Sequence, residues 1–118
     1  MSLIKIVAFN NSLKELFSFL KKTFPTEKKL ITYEFQIKMI IDANPNCIYN
    51  MFREHVLKYK EQVRKYDENF ILHELKKVCG DNNVEFLDFN SIWKKKENKK
   101  ENKIKIFQYL IKMINLVD

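Results

Sequence analysis

Glycine, proline and arginine are scarce in this chain of 118 residues, which holds one Gly, two Pro and only two Arg. So little glycine and proline excludes collagen-like repeats, flexible Gly-rich linkers and turn-dense β-sandwiches. No run of about 18 apolar residues is free of charge, so the sequence predicts no transmembrane helix. The N-terminus lacks the basic, apolar and small-residue order of a secretory signal, so we expect a protein that is not secreted.

Hydrophobic residues make up 46% of the chain and include ten Phe, five Tyr and one Trp. This content excludes a disordered, solvating chain. At this length roughly 65% of the surface of the unfolded chain can be buried, so a core can form without metals or disulfides. The two cysteines have no secretory context, which favours reduced, buried thiols.

Apolar residues recur at steps of three and four along most of the chain, the spacing of amphipathic helices. We therefore expect an all-α, compact single-domain bundle of five to six helices over residues 1–118. The predicted helices span 3–24, 26–43, 46–66 and 67–80, with a short helix from 90 or 91 and a last helix over 104–117. A lysine-rich spacer at 94–103 precedes the last helix.

Several residues suggest where these helices begin and end. Ser12 and Glu15 could form a capping box that starts the first helix late. The earlier apolar series, which favours one long helix, consists of Leu3, Ile6, Phe9 and Leu13. Thr26, Asp67 and either Asn90 or Ser91 are expected as helix caps, and Gly80 is expected as a left-handed helix terminus.

The formal net charge of +7 has two interpretations. A basic protein invites a polyanionic partner such as nucleic acid. However, 20 of the 22 basic residues are Lys, and only Arg53 and Arg64 offer the bidentate fork that suits phosphate. Abundant Lys, Asn and Ile with almost no Gly is also what AT-rich codons produce without selection for binding. Both interpretations stay open.

The basic residues are concentrated near the C-terminus. Residues 94–105 hold seven Lys against two Glu, whereas residues 67–93 carry a net charge of −4. The basic segment can pair within the molecule, between subunits, or with phosphates. It has no interleaved aromatic residues to stack on bases, so sequence-specific recognition is not expected. The candidate contacts to nucleic acid or another anion are Lys94, Lys95, Lys96, Lys99, Lys100 and Lys103.

The first and last predicted helices contain more apolar residues than one buried stripe requires. Twelve of the 22 residues in 3–24 are apolar, and ten of the 14 in 104–117. Either these helices are central in the bundle, or a second subunit or a protein partner covers part of their surface. The residues predicted for such an interface are Leu3, Ile6, Phe9, Phe19, Ile106, Tyr109 and Met113.

No catalytic or metal-binding motif is present among the cysteines and histidines. His55, His73, Cys47 and Cys79 show neither CxxC nor HxxxH spacing, so we expect no metal site and no cofactor. A single glycine cannot build a phosphate-cradling loop. Cys79 with His73 is the one nucleophile and base pair worth testing. The sequence therefore predicts a protein that is not an enzyme.

Short aromatic motifs recur along most of the chain. They are Phe24-Pro25, Asp67-Glu68-Asn69-Phe70, Asp88-Phe89 with Ile92-Trp93, and Tyr109-Leu110. In these motifs the sequence resembles a family of small proteins from nucleocytoplasmic large DNA viruses, the giant viruses of algae and amoebae, to which no activity is assigned. The chain departs from the family pattern at Asn69, where an acid is common, and at Ile71, where a second aromatic is common.

The resemblance implies a virus-encoded protein that acts in a viral factory of the host cytoplasm or in the virion. Together with the apolar excess, it favours a non-enzymatic helical interaction or assembly module, with a protein partner or homo-oligomer. The alternative is a non-specific nucleic-acid-binding protein that uses the lysine-rich arm 94–105.

Overall fold

The first and last helices pack antiparallel at the centre of the structure. In this computed structural model, which describes residues 3–118, α1 spans Leu3–Thr23 and α7 spans Lys100–Val117. Their direction follows from side-chain pairs: Glu15 lies 3.8 Å from Lys112, and the Phe19 ring lies 6.1 Å from the Tyr109 ring. The packing between these two helices is the most extensive in the fold.

Shorter elements surround this pair, and every regular element within residues 3–118 is helical. The Cα radius of gyration is 13.3 Å, close to the value of about 13.5 Å expected for a compact chain of this length. The intervening helices are α2 (Lys29–Ala43), α3 (Cys47–His55), α4 (Lys60–Arg64), α5 (Leu75–Asn82, continuous with a π-helical segment Phe70–Glu74) and α6 (Asn90–Trp93). Two 3₁₀ turns complete the fold, at Leu57–Tyr59 and Glu85–Leu87.

The prediction of an all-α bundle is confirmed, but residues 3–118 form seven α-helices instead of the predicted five to six. The helix predicted over 46–66 divides at Val56, where a 3₁₀ turn separates α3 from α4. Val56 and Val63 are nevertheless both buried. The spacing of apolar residues predicts which side of the chain faces inward. It does not predict whether the helix is continuous, because two helices separated by a 3₁₀ turn can bury the same residues.

Two predictions about helix ends are confirmed. α1 is one long helix that contains Ser12. The Ser12 hydroxyl donates to the Ala8 carbonyl at 2.9 Å and therefore does not cap a later helix start. Asp67 accepts a hydrogen bond from the Asn69 backbone N–H at 2.9 Å, which is the geometry of a capping carboxylate.

Three other predictions about caps are wrong. Backbone hydrogen bonds shape the turn after Phe24, so α2 starts at Lys29 and Thr26 does not cap it. Gly80 lies inside α5, and the left-handed residue that ends this helix is Asn83, with φ 55°. Asp88 accepts the Asn90 backbone N–H at 3.1 Å, so the side chain before α6 fulfils the role expected of Asn90 or Ser91.

The lysine-rich spacer 94–103 is only partly irregular. Residues 94–99 form turns, and α7 begins at Lys100, four residues before the predicted start. The backbone N–H groups of Asn102 and Lys103 donate to the Lys99 carbonyl, which closes the first turn of the helix. Lys and Glu are good helix formers, so this polar turn forms without any apolar periodicity to predict it.

Four of the seven predicted interface residues lie in the core instead. Because α1 and α7 are central, other parts of the same chain cover the apolar surface that suggested a partner. Leu3 is 71% exposed, and Phe19 and Tyr109 are half-buried. The four buried residues are Ile6, Phe9, Ile106 and Met113.

We expect Phe9→Ala to lower the free energy of unfolding by about 3–5 kcal/mol, because the ring is fully buried against Tyr49 and Phe52. Leu3→Ala, at an exposed position of the same helix, should change the stability by less than about 0.5 kcal/mol. Urea denaturation followed by circular dichroism measures both. Equal losses for the two variants would contradict this placement of Phe9.

Candidate interaction surfaces

Two of the six candidate lysines are engaged within the chain. Lys95 lies 3.6 Å from the Glu27 carboxylate. Lys103 lies 3.5 Å from the Glu68 carboxylate and 5.4 Å from the centre of the Trp93 ring. The Trp93 indole N–H donates to the same Glu68 oxygen at 3.1 Å, so Lys103 belongs to a network that joins α6 to α7. These two lysines serve the fold and are poorly placed to bind an external anion.

The remaining four candidates are exposed and form no ion pair within residues 3–118. Three of them lie in the loop 94–99 and the fourth begins α7. This loop is anchored at Asn98, a buried residue whose side-chain amide donates to the Trp93 carbonyl at 3.4 Å. An anchored loop presents its cations with little further loss of conformational freedom on binding. The four lysines are Lys94, Lys96, Lys99 and Lys100.

Lys94 reaches a cleft that also contains basic side chains of α5. The cleft has a volume of ≈ 560 Å³ and is lined by His73, Lys76, Lys77 and Lys94, with Asp81 as its one carboxylate. This grouping is not apparent from net charge along the sequence, because Lys76 and Lys77 lie within the stretch 67–93, which is acidic overall. Lys76 and Lys77 follow His73 by three and four residues, and this spacing predicts that the three side chains share one face of a helix. Amines that converge on a cleft can hold phosphate groups as point charges.

A second cleft, of ≈ 430 Å³, lies between α2, α5 and the segment 85–92 and contains Cys79 in its lining. Burial, followed by the nearby Asp88 carboxylate, raises the pKa of the Cys79 thiol to about 12. Burial and the carboxylates of Glu85 and Asp88 likewise raise the pKa of Tyr33. Cys79 therefore stays a neutral thiol near neutral pH, the opposite of an activated nucleophile.

His73 is exposed and lines the cleft beside Lys94, which we call the basic cleft. Cys79 is buried and lines the second cleft, beside α2. The structure shows no hydrogen bond between these two side chains within the described range. In the same range, 3–118, the His, Cys, Asp and Glu side chains form no group of three that could hold a metal ion.

Three large apolar side chains are exposed along α2. Ile31, Phe35 and Met39 are 64%, 64% and 57% exposed, and their spacing of four aligns them along the outer face of the helix. We call these three residues the α2 stripe. The opposite face of α2 buries its own set, Leu30, Ile37 and Ile41.

The α2 stripe is not among the residues predicted for an interface, because that prediction rests on the apolar excess of the first and last helices alone. The pattern that would have found it is the two-sided apolar character of residues 30–41. A second exposed apolar group, Leu3, Ile4 and Val7, lies at the start of α1. Leu3 is the one predicted interface residue that is classed as exposed, because the other six are buried or half-buried.

Comparisons with protein-family models, with curated proteins and with solved structures find no match to this chain. The resemblance to proteins of large DNA viruses therefore stays a prediction. Among residues 3–118, no helix combines the length and the apolar character needed to cross a bilayer.

We expect the two cysteines to differ sharply in reactivity. Cys47 is exposed, whereas Cys79 is 2% exposed and keeps its proton. At pH 8 in native buffer, a chromogenic disulfide reagent should titrate one thiol per chain promptly, and both thiols in denaturant. Cys47→Ser should abolish the prompt phase, and Cys79→Ser should leave it unchanged. A prompt phase that persists in Cys47→Ser would show that Cys79 is accessible and ionised.

Proposed function

We propose that this chain is a non-enzymatic interaction module that works by protein–protein association, and that the α2 stripe is its contact surface. One observation carries the proposal: Ile31, Phe35 and Met39 are more than half exposed although three large apolar side chains follow one another along a single helix face. Contiguous apolar patches on a soluble domain are typical of binding surfaces.

The fold itself does not need these side chains. α2 is already attached to the core by its inward residues and by the ion pair between Lys21 and Glu34, whose atoms are 2.9 Å apart. Covering an exposed Ile, Phe or Met side chain completely stabilises a complex by about 1.5–3 kcal/mol before the costs of association. Aromatic residues and Met are also enriched in protein interfaces.

The surroundings of the α2 stripe complete the pattern of an interface. Lys28, Lys38 and Asp42 are exposed and flank the apolar residues, as polar rim residues do. The resemblance to proteins of large DNA viruses supports a setting in a viral factory of the host cytoplasm or in a virion, where an assembly module would act.

A photo-reactive benzoyl-phenylalanine at position 35 tests this proposal in cells that express the full chain. We expect the group at position 35 to form light-dependent covalent adducts with another protein chain. The same group at position 54 should give none, because Glu54 is exposed on a different helix without large exposed apolar neighbours. Adducts that are absent, or that form equally at both positions, would overturn the proposal.

Non-specific nucleic-acid binding is the second candidate function, favoured by the cleft that joins Lys94 to Lys76 and Lys77. This basic surface is extended along the chain by three further exposed side chains, Lys96, Lys99 and Lys100. Neutralising phosphates releases counterions, so affinity would fall steeply as the salt concentration rises.

Binding of labelled duplex DNA across roughly 50–300 mM salt tests this second function. We expect K76Q/K77Q/K94Q and K96Q/K99Q/K100Q each to weaken binding and to flatten the salt dependence, by about 0.9 in slope for each phosphate that the variant no longer neutralises. The control K38Q/K58Q/K65Q removes the same charge from exposed positions elsewhere. If all three variants lose affinity equally, only the net charge matters and the basic cleft is not the site.

A further inference from the structure

We propose that the α2 stripe binds a second copy of this chain, with the two α2 helices antiparallel about a two-fold axis at Phe35. This inference rests on the proposed function and names the partner. It is carried by the order of side chains along the outer face of α2, which has the symmetry that such a dimer requires.

The outer face of α2 is arranged symmetrically around Phe35. Ile31 and Met39 lie four residues before and after it, and Lys28 and Asp42 lie seven residues before and after it. Seven residues correspond to about 10 Å along the helix axis. Steps of three and four residues keep all five side chains on one face, and all five are exposed. In an antiparallel pair of helices, each apolar residue therefore meets an apolar residue of the second copy.

The charges at the two ends of this face decide the direction. Antiparallel packing brings Lys28 to the same level as Asp42 of the second copy, and the two-fold axis repeats this pair at the other end. Parallel packing would bring Lys28 against Lys28 and Asp42 against Asp42. Neither side chain forms an ion pair within residues 3–118, so both are available to pair across the interface.

The surface beside Met39 also suits an incoming side chain. A cleft of ≈ 360 Å³ opens there and is lined by Gln36, Ile40, Asn83, Glu85 and Phe86. In the antiparallel arrangement, Ile31 of the second copy lies at the level of Met39 and hence at the mouth of this cleft. Each copy offers one such side chain and one such cleft, as an isologous contact requires.

One face of a 15-residue helix is smaller than a standard interface, which buries about 800 Å² on each partner. We therefore expect a dimer that dissociates in the micromolar range. Sedimentation of the full chain should show a mass that rises with concentration towards twice the chain mass, and Phe35→Glu should hold it at the chain mass. Circular dichroism confirms that this variant is folded, as its exposed position predicts.

Disulfide cross-linking tests the geometry in a Cys47→Ser background. Phe35→Cys should form a covalent dimer on mild oxidation, because position 35 lies at the two-fold axis. In a mixture of Ile31→Cys and Met39→Cys chains, a disulfide should form between position 31 of one chain and position 39 of the other. Ile31→Cys alone should not, because its two copies lie farther apart than the Cα separation of about 4.4–6.8 Å that a disulfide needs. A disulfide between two Ile31→Cys chains, with no disulfide between positions 31 and 39 in the mixture, would indicate parallel packing and overturn the arrangement.

Charge reversal provides an independent measurement. Lys28→Asp and Asp42→Lys should each weaken self-association by about tenfold, because each creates two like-charge contacts. The double variant K28D/D42K should restore it. Mixed with the wild-type chain, the double variant should form few mixed dimers. If all of these variants self-associate with equal affinity, Lys28 does not pair with Asp42 of the second copy and the antiparallel arrangement is wrong.

The outcomes for self-association and for the proposed function are distinguishable. A chain that sediments as a monomer at millimolar concentration, with no cross-link between positions 31 and 39, overturns the self-association. Photo-adducts from position 35 with a different protein would then leave the association function standing. A monomer without photo-adducts overturns both.

Discussion

The antiparallel packing of α1 against α7 is the interaction on which the rest of the structure depends. It brings together two helices that are far apart in the sequence, so forming it closes a long loop and costs conformational entropy. The compensation is a continuous row of fully buried side chains on both helices, which includes Leu13, Phe17, Leu110 and Ile114. Because both helices are covered on several sides, most of their apolar residues belong to the core, and the exposed exceptions on α1 are confined to its first turns, at Leu3, Ile4 and Val7.

The short helices exist because this central pair gives them something to pack against. Helices of four to nine residues are not stable alone in water, and α3, α4 and α6 fall in that range. Phe107 of α7 contacts the rings of Tyr66 and Trp93, and the Trp93 indole in turn binds Glu68, which pairs with Lys103. Part of the basic charge near the C-terminus is thereby used to hold the fold together. Lys95 and Lys103 therefore serve the fold and are not part of a binding surface.

Much of the fold follows from the sequence where one physical effect dominates. The apolar period of α1 continues through Ser12, and it correctly outweighs a possible capping box, because a mid-helix serine can bond back to the carbonyl of Ala8. Asp67 was predictable as a cap from its chemistry alone. The ends at Thr26 and Gly80 were not, because the backbone bonds of the turn after Phe24 and the left-handed Asn83 depend on how the neighbouring helices pack. Local propensity loses to tertiary contact at such positions.

The candidate surfaces were harder to predict, for a reason that α2 makes plain. An apolar residue count does not distinguish a helix buried on several sides from a helix with one buried and one exposed apolar face. α1 and α7 are of the first kind and α2 is of the second, and only the packing of the whole chain separates them. Once the inward residues Leu30, Ile37 and Ile41 are assigned, what remains on α2 is an exposed apolar face. Its position outside the central pair means that a change to Phe35 alters the surface of the molecule without disturbing the core.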